Sequence, residues 1–196
     1  MSSTAATSPG RPRDPEVDAS ILRATQDLLI SHGFEGMTVE MVARAAGSGK
    51  AAVYRRWPGK SALVVAAVRA MHGSDAPPDT GTLRGDLLEC SLHYARGDDR
   101  TALVMAGLLT AASRDPELRA AATEAIGAPR AAMFRAVIAR WIDRGAVAPE
   151  VPVDVIASIV PSIAFGRVVM TRRLIDEATA VQIVDGVLLP ALGARD

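Results

Sequence analysis

The side chains best suited to chemistry lie between residues 38 and 60. A short helix starting near Lys50 would turn Val53 and Trp57 inward and carry Lys50, Ala51, Tyr54 and Arg55 on its outer face. Cations and a phenol on one exposed face suit a phosphate-lined groove, because they donate hydrogen bonds to anionic oxygens and base edges. No acid occurs from Met41 to Ser74, against six basic residues, Arg44, Lys50, Arg55, Arg56, Lys60 and Arg69. Backbone N–H groups at the starts of helices expected at Thr38 and Lys60 would add phosphate donors. The plain alternative is a solvated basic face, so the reading depends on the elements that hold these charges.

Those elements are helices. Asp14-Pro15-Glu16 opens one: Asp caps it, Pro suits its first position and Glu complements its dipole. Ile21, Leu22, Thr25, Leu28 and Leu29 form its apolar face, and Gly33 is its expected left-handed stop. Thr38 starts a second helix with Val39, Val42, Ala43 and Ala46; Gly47-Ser48-Gly49 breaks it; a third runs from Lys50 to Arg56; Pro58-Gly59 breaks that one, and a fourth runs from Lys60 to about His72. Short helix, glycine turn, short helix is helix-turn-helix spacing. The second short helix is too short to be stable alone, so its register must come from Val53 and Trp57 in a small core.

Gly73–Gly81 reads as a linker. Beyond it, helices are expected from Thr82 to about Arg96, over Arg100–Ser113, from Pro116 to Arg144 with a kink at Gly127 and Pro129, over Val153–Met170 with Pro161 inside, and from about Glu177 to Leu192. The 153–170 helix is apolar nearly all round, with Asp154, Ser158 and Ser162 as a thin polar stripe, so it should be buried on more than one side. Alanine at 36 positions favours helix, and no strand pattern is present. The expected fold is all-α: a helix-turn-helix head at 14–73 and a helical bundle at 82–196, preceded by a disordered arm at 1–13 that carries Arg11 and Arg13.

Other chemistries find little support. Net charge is zero, but residues 1–73 carry 9 basic and 6 acidic groups and residues 74–196 carry 13 and 16. The longest uncharged run past the first residues, Thr101–Ser113, is short of the ~20 residues of a membrane span. No signal-peptide pattern opens the chain, and the lone Cys90 fits a reducing, cytoplasmic setting. Gly47-Ser48-Gly49-Lys50 lacks the glycine and hydroxyl that a phosphate loop needs at Arg44 and Ala51. His32, His72 and His93 are scattered, so no metal site is expected; no catalytic constellation appears, so neither an enzyme nor a cofactor is expected.

The stretch ILRATQDLLISHGFEGMTVEMVARAAGSGKAAVYRRWPGKSALVVAAV closely resembles the TetR family of bacterial transcriptional regulators. Gly33-Phe34, Thr38-Val39, Val42-Ala43, Ala46-Gly47, Lys50, Val53-Tyr54, Trp57-Pro58 and Lys60 carry the likeness. The segment SRDPELRAAATEAIGAPRAAMFRAVIARWIDRG is similar to one C-terminal subfamily of regulatory domains. The resemblance implies a homodimer on a double-stranded, roughly palindromic operator, acting as a repressor that a small molecule releases. It implies that Thr38, Tyr54 and Lys60 touch phosphates and that Ser48, Lys50, Ala51, Ala52 and Arg55 belong to the reading surface. Ala51 and Ala52 can offer only methyl contacts, which leaves Arg55 for a guanine edge. The sequence departs from the family pattern in the turn, with Ser48 where a hydrophobic residue is usual and Gly49 where a capping Ser is common.

The resemblance further implies an effector cavity among the later helices for an apolar or amphipathic molecule, with His93, Tyr94, Met105, Leu109, Met133, Trp141, Ser162 and Phe165 as candidate lining. It implies a four-helix dimer interface, for which Ile156, Ile159, Ile163, Val181, Val184 and Leu188 are the candidates. The competing reading is a helical adaptor that binds protein through a degenerate helix-turn-helix; steep weakening of binding by salt would mark a nucleic-acid binder instead.

Overall fold

Asp14 accepts a hydrogen bond from the Glu16 N–H at 3.1 Å and opens α1, Pro15–Gly36, in the computed structural model, which describes residues 14–73 and 76–193. The expected arm at 1–13, with Arg11 and Arg13, lies outside the described residues. Gly33 does take the left-handed conformation, at φ 67°, but one further helical turn follows it, so α1 bends there and ends at Gly36. Thr38 caps α2, Val39–Ala45, through its Oγ1 to the Met41 N–H at 3.2 Å. Gly47, at φ 62°, makes the tight turn into α3, Lys50–Arg56, and α4 spans Lys60–Arg69. No strand occurs among the described residues.

The second half holds α5 (Leu83–Leu92), α6 (Asp99–Ala112), α7 (Pro116–Ala122), α8 (Ala128–Asp143), α9 (Val153–Thr171), α10 (Glu177–Ile183) and the terminal turn α11 (Leu189–Ala191). Two π-helical turns, Thr123–Gly127 and Val184–Leu188, join α7 to α8 and α10 to α11. Each ends two residues before a proline, Pro129 or Pro190. A proline removes an N–H and crowds the carbonyl four residues back, and a widened turn relieves both. The break expected at Gly127 and Pro129 therefore takes the form of a π turn within a continuous helical path.

Two apolar cores form. The first runs from Ile21, Phe34, Val42, Val53 and Leu63 in the head to Val104, Leu108 and Leu118 of α6 and α7. The head thus shares its core with the bundle. Gly107 permits the approach: a Cβ there would lie 3.0 Å from Leu29 Cγ. Arg100 reinforces the joint through Asp27 Oδ1 at 2.5 Å and Gln26 Oε1 at 3.1 Å, while Gln26 Nε2 donates to the Ala67 carbonyl at 2.8 Å. The second core holds Leu87, Phe134, Val137, Ile138, Val160 and Val184.

This second core corrects part of the expected dimer surface. Ile156, Val184 and Leu188 are 3%, 0% and 0% exposed within one protomer and cannot face a partner. The π turn adds a residue to the helical repeat, so spacing-four arithmetic across 184–188 no longer marks one face. Ile163 is exposed, and Ile159 and Val181 are half-buried. Of the expected polar stripe, Asp154, Ser158 and Ser162 are all exposed, but among them stand exposed Val155, Val169 and Met170. By length and composition α9 is apolar enough to cross a membrane, which the run-length reading missed because Asp154 and Arg167 bound the uncharged stretch. Its Ile156, Ala157, Val160, Ala164 and Val168 are instead buried in the bundle.

Asp86 locks the end of the linker onto the bundle. Fully buried, it accepts the Thr80 N–H at 2.6 Å, the Thr80 hydroxyl at 2.7 Å and the Trp141 indole N–H at 2.8 Å, with Arg140 Nη1 at 3.6 Å. Burial, the largest single influence, pushes its carboxyl up, but these donors and the Arg140 charge together hold it below the ordinary carboxylate value. A lowered folded value means that the stabilisation is present above the unfolded value and is lost as pH falls through the folded one. Asp86→Asn is expected to lower stability by about 2–3 kcal/mol at pH 7 in urea unfolding, with the gap to the parent closing below about pH 4. A gap that stays constant down to pH 2 would show that the charge has no part in the lock.

Candidate nucleic-acid interface

The α2–turn–α3 unit sets the outer face. Val53 is fully buried and fixes the register of α3, while Trp57 is half-buried against the same core. Thr38, Lys50, Ala51, Tyr54 and Arg55 are exposed, Tyr54 at 43%. Ser48 and Ala52 are half-buried. The Ser48 N–H donates to the Ala43 carbonyl at 2.8 Å, closing the glycine turn, and Gly49 precedes α3 without a side-chain cap. The structure therefore brings the expected residues of α3 to one surface beside the start of α2.

The basic residues divide into two groups. Arg56 is drawn inward, where it bonds Asp18 of α1 and, at 3.0 Å, the Ala52 carbonyl, so it braces α3 against α1. Lys60 Nζ donates to the Phe34 carbonyl at 2.7 Å and the Met37 carbonyl at 3.4 Å and lies 4.2 Å from the centroid of the Phe34 ring. Those carbonyls belong to the end of α1, where a helix presents unpaired acceptors and the negative end of its dipole. The phosphate role that the resemblance implies for Lys60 thus competes with a structural one. Arg44 and Arg55 are exposed, with no partner among the described residues.

Lys50 is not free either. Its ammonium pairs with Glu40, one residue outside the acid-free stretch, and lies 5.6 Å from the Tyr54 ring centroid. The hydrogen bond to Lys50 is the largest cause holding the Glu40 carboxyl low, and the same bond is the largest cause holding the Lys50 ammonium high. Counting charge along residues 41–74 missed Glu40 because α2 carries it back across the turn to α3. The informative signal was the pairing of two short helices, not sequence distance.

The expected effector lining scatters. Met105, Leu109 and Phe165 bound an apolar cavity of about 260 Å³ together with Leu108, Ala112 and Ile126. His93 and Tyr94 border a hollow of about 20 Å³ that also touches Met105 and Phe165. The other three are corrected. Met133 is 3% exposed in the second core beside Phe134. Trp141 is held on Asp86 by its indole N–H, and Ser162 is exposed on α9. Arg130, which sequence reasoning did not single out, borders the small hollow. Cys90 is fully buried, and burial, aided by Asp86, pushes its thiol up to about 12, as expected of an unreactive packing residue.

Comparison with known proteins agrees with this geometry. Residues 21–67 match the family described as bacterial regulatory proteins, tetR family, and residues 77–187 match the tetracyclin repressor-like C-terminal domain. An uncharacterized HTH-type transcriptional regulator of Mycobacterium tuberculosis is 33% identical over 186 residues, 94% of this chain and 90% of that one. The DNA-binding transcriptional repressor TetR of Mycobacteroides abscessus is 30% identical over 187 residues, 90% of this chain and 95% of its own. The Bacillus subtilis transcriptional regulator FadR in complex with stearoyl-CoA shares the fold, with TM-score 0.66 at 17% identity over 91% of this chain and 99% of that one.

Lys60→Met keeps the apolar stem and removes the ammonium. It is expected to destabilise the protein by about 1–2 kcal/mol, read as a lower urea midpoint at unchanged slope. An unaltered midpoint would show that the carbonyl contacts contribute nothing and return the side chain to a phosphate role.

Proposed function

The chain belongs to the TetR family of bacterial transcriptional regulators, and from that premise we propose that two copies bind a palindromic DNA operator and repress transcription until a small molecule releases them. The observation that carries the DNA assignment is the exposed α3 face, where Lys50, Tyr54 and Arg55 stand together above a buried Val53. Arg55 is the reading residue, since its guanidinium has no partner among the described residues and can bond two acceptors on a guanine. Lys50 and Tyr54 serve phosphates, with Thr38 at the start of α2 beside them. Lys50 exchanges Glu40 for a phosphate on docking, so Glu40 restrains non-specific binding.

Dimerisation rests on the bare face of α9. Val155, Ile163, Val169 and Met170 are 63%, 37%, 43% and 82% exposed, and Ser158, Ser162 and Gly166 fill the positions between them. Apolar residues recurring along one side of a helix call for a partner. A second copy matches the family resemblance and places two α3 helices for half-sites ~34–36 Å apart. The effector reading rests on the apolar cavity between α6, α7 and α9. Repression is supported by the name of the Mycobacteroides abscessus relative, and ligand release by the FadR neighbour solved with stearoyl-CoA. Such a regulator works in the cytoplasm, where its DNA is.

Three measurements test this reading. Met170→Arg should leave the protein folded and shift it from dimer to monomer in sedimentation, whereas an unmodified chain that sediments as a monomer at micromolar concentration would overturn the dimer. Glu40→Gln should tighten binding to all DNA sequences and steepen the dependence of log affinity on log salt by about one unit per protomer. Arg55→Ala should relax preference at one base pair, with ~1–3 kcal/mol at stake. Equal loss on every sequence would move Arg55 to the phosphate group.

A further inference from the structure

Arg130 is a buried cation with no counter-ion among the described residues. Its side chain lies on α8 just after the first π turn and is 3% exposed. Nη2 is buried without a hydrogen-bond partner, and no ion pair reaches the guanidinium among the described residues. The Tyr94 ring, 5.1 Å from Cζ, offers its π face, which is no substitute for a carboxylate. Burial pushes Arg130 down to about 10, which leaves it charged at neutral pH. A buried guanidinium normally has a carboxylate beside it, because desolvation without pairing is strongly unfavourable.

The space around Arg130 is suited to supplying that partner from outside. Arg130 borders a hollow of about 100 Å³ with Arg69, His72, Gly73, Ala125 and Ile126. It also borders the small hollow beneath His93 and Tyr94. No carboxylate among the described residues lines either one: Glu124, the acid nearest in sequence, is exposed, and Glu89 is paired with Arg96 at 2.5 Å. Ile126 is a wall of both the 100 Å³ hollow and the 260 Å³ apolar cavity, and Met105 and Phe165 join that cavity to the smaller hollow. A cationic recess therefore adjoins an apolar chamber.

We propose that the effector is an organic acid with one anionic head and an apolar body, its carboxylate held by Arg130 and its body in the chamber of Met105, Leu109, Ile126 and Phe165. This rests on the reading of the bundle as an effector domain and names its ligand class. It also gives the ligand a mechanical role. Arg69 and His72 stand at the end of α4, the helix that leads out of the DNA-binding head, and Arg130 stands on α8. A carboxylate seated between them ties the head to the bundle by charge, so its arrival changes the position that α4 prefers. The ligand shifts the head only as far as its affinities for the two positions differ.

The test uses octanoate, octanol and acetate as probes with the full chain and Arg130→Met, read by titration calorimetry. Octanoate should bind the parent more tightly than octanol does, and acetate should bind far more weakly than octanoate. Arg130→Met should weaken octanoate about 10- to 100-fold, the span of a charge-assisted hydrogen-bonded contact, and leave octanol unchanged. It should also raise the thermal midpoint of the unliganded protein, because it removes an unpaired buried charge. Equal affinity of the parent for octanoate and octanol, absence of octanoate binding, or octanoate binding that survives Arg130→Met would overturn the anion site. The first two comparisons need only the parent protein, so they stand if the variant fails to fold. Loss of DNA binding by the unmodified chain would count against the regulator reading alone. Octanoate binding through Arg130 that leaves DNA affinity unchanged would keep the site and overturn its role as the release switch.

Discussion

The contact between Gly107 of α6 and Leu29 of α1 is the constraint on which the rest of the molecule depends. Helices α2 and α3 have seven residues each, too few to persist alone. They are stabilised because Val42 and Val53 enter a core that already contains Val104, Leu108 and Leu118 of the bundle. That shared core exists only if α1 and α6 lie close, and a Cβ at Gly107 would press on Leu29 Cγ at 3.0 Å. The polar seam alongside it, Arg100 with Asp27 and Gln26, then fixes rotation about the contact. The DNA-binding head is consequently coupled to α6 and α7 by packing, and a change in those helices cannot leave α1 indifferent.

Charge follows the same logic of shared tasks. Of the basic residues between 41 and 74, Arg56 and Lys60 hold α3 and α4 to α1, and Lys50 is paired with Glu40. The other three, Arg44 and Arg55 near the turn and Arg69 far along α4, have no ion pair among the described residues. A uniformly basic surface would bind any DNA about equally, since phosphates look alike in every sequence. Holding half of these charges in internal contacts leaves base reading a larger share of the remaining interaction.

The head was legible because its signals are local. Thr38, Gly47, Gly49 and the Pro58-Gly59 pair each act on the backbone within a few residues, so the ends of α2 and α3 fall where those residues demand. The bundle was less legible because its signals are not local. Val184 and Leu188 share a spacing with Val181, yet the π turn before Pro190 rotates them into the core. Trp141 has the composition of a cavity wall, but its indole N–H is claimed by Asp86, 55 residues earlier. Arg130 sits in a run of alanines with nothing in its neighbours to mark it as buried; only the docking of α8 against α5 and α9 removes it from solvent.

The same docking explains why a hollow survives in so alanine-rich a protein. Small side chains let helices approach closely, which ordinarily closes voids. Here the π turn at Thr123–Gly127 displaces the backbone between α7 and α8, and Ile126 is the residue that this displacement projects inward. The turn accommodates Pro129, so the hollow lies beside a backbone feature and not at a missing large residue. It opens beside Ile126 of the first core, at the end of α4, bordered by Arg130 of α8 and by Arg69 and His72. A cavity placed at that junction is bordered by the two bodies whose relative position matters for DNA. A molecule seated there would touch α4 and α8 at once, with no relay needed through the interior of either core.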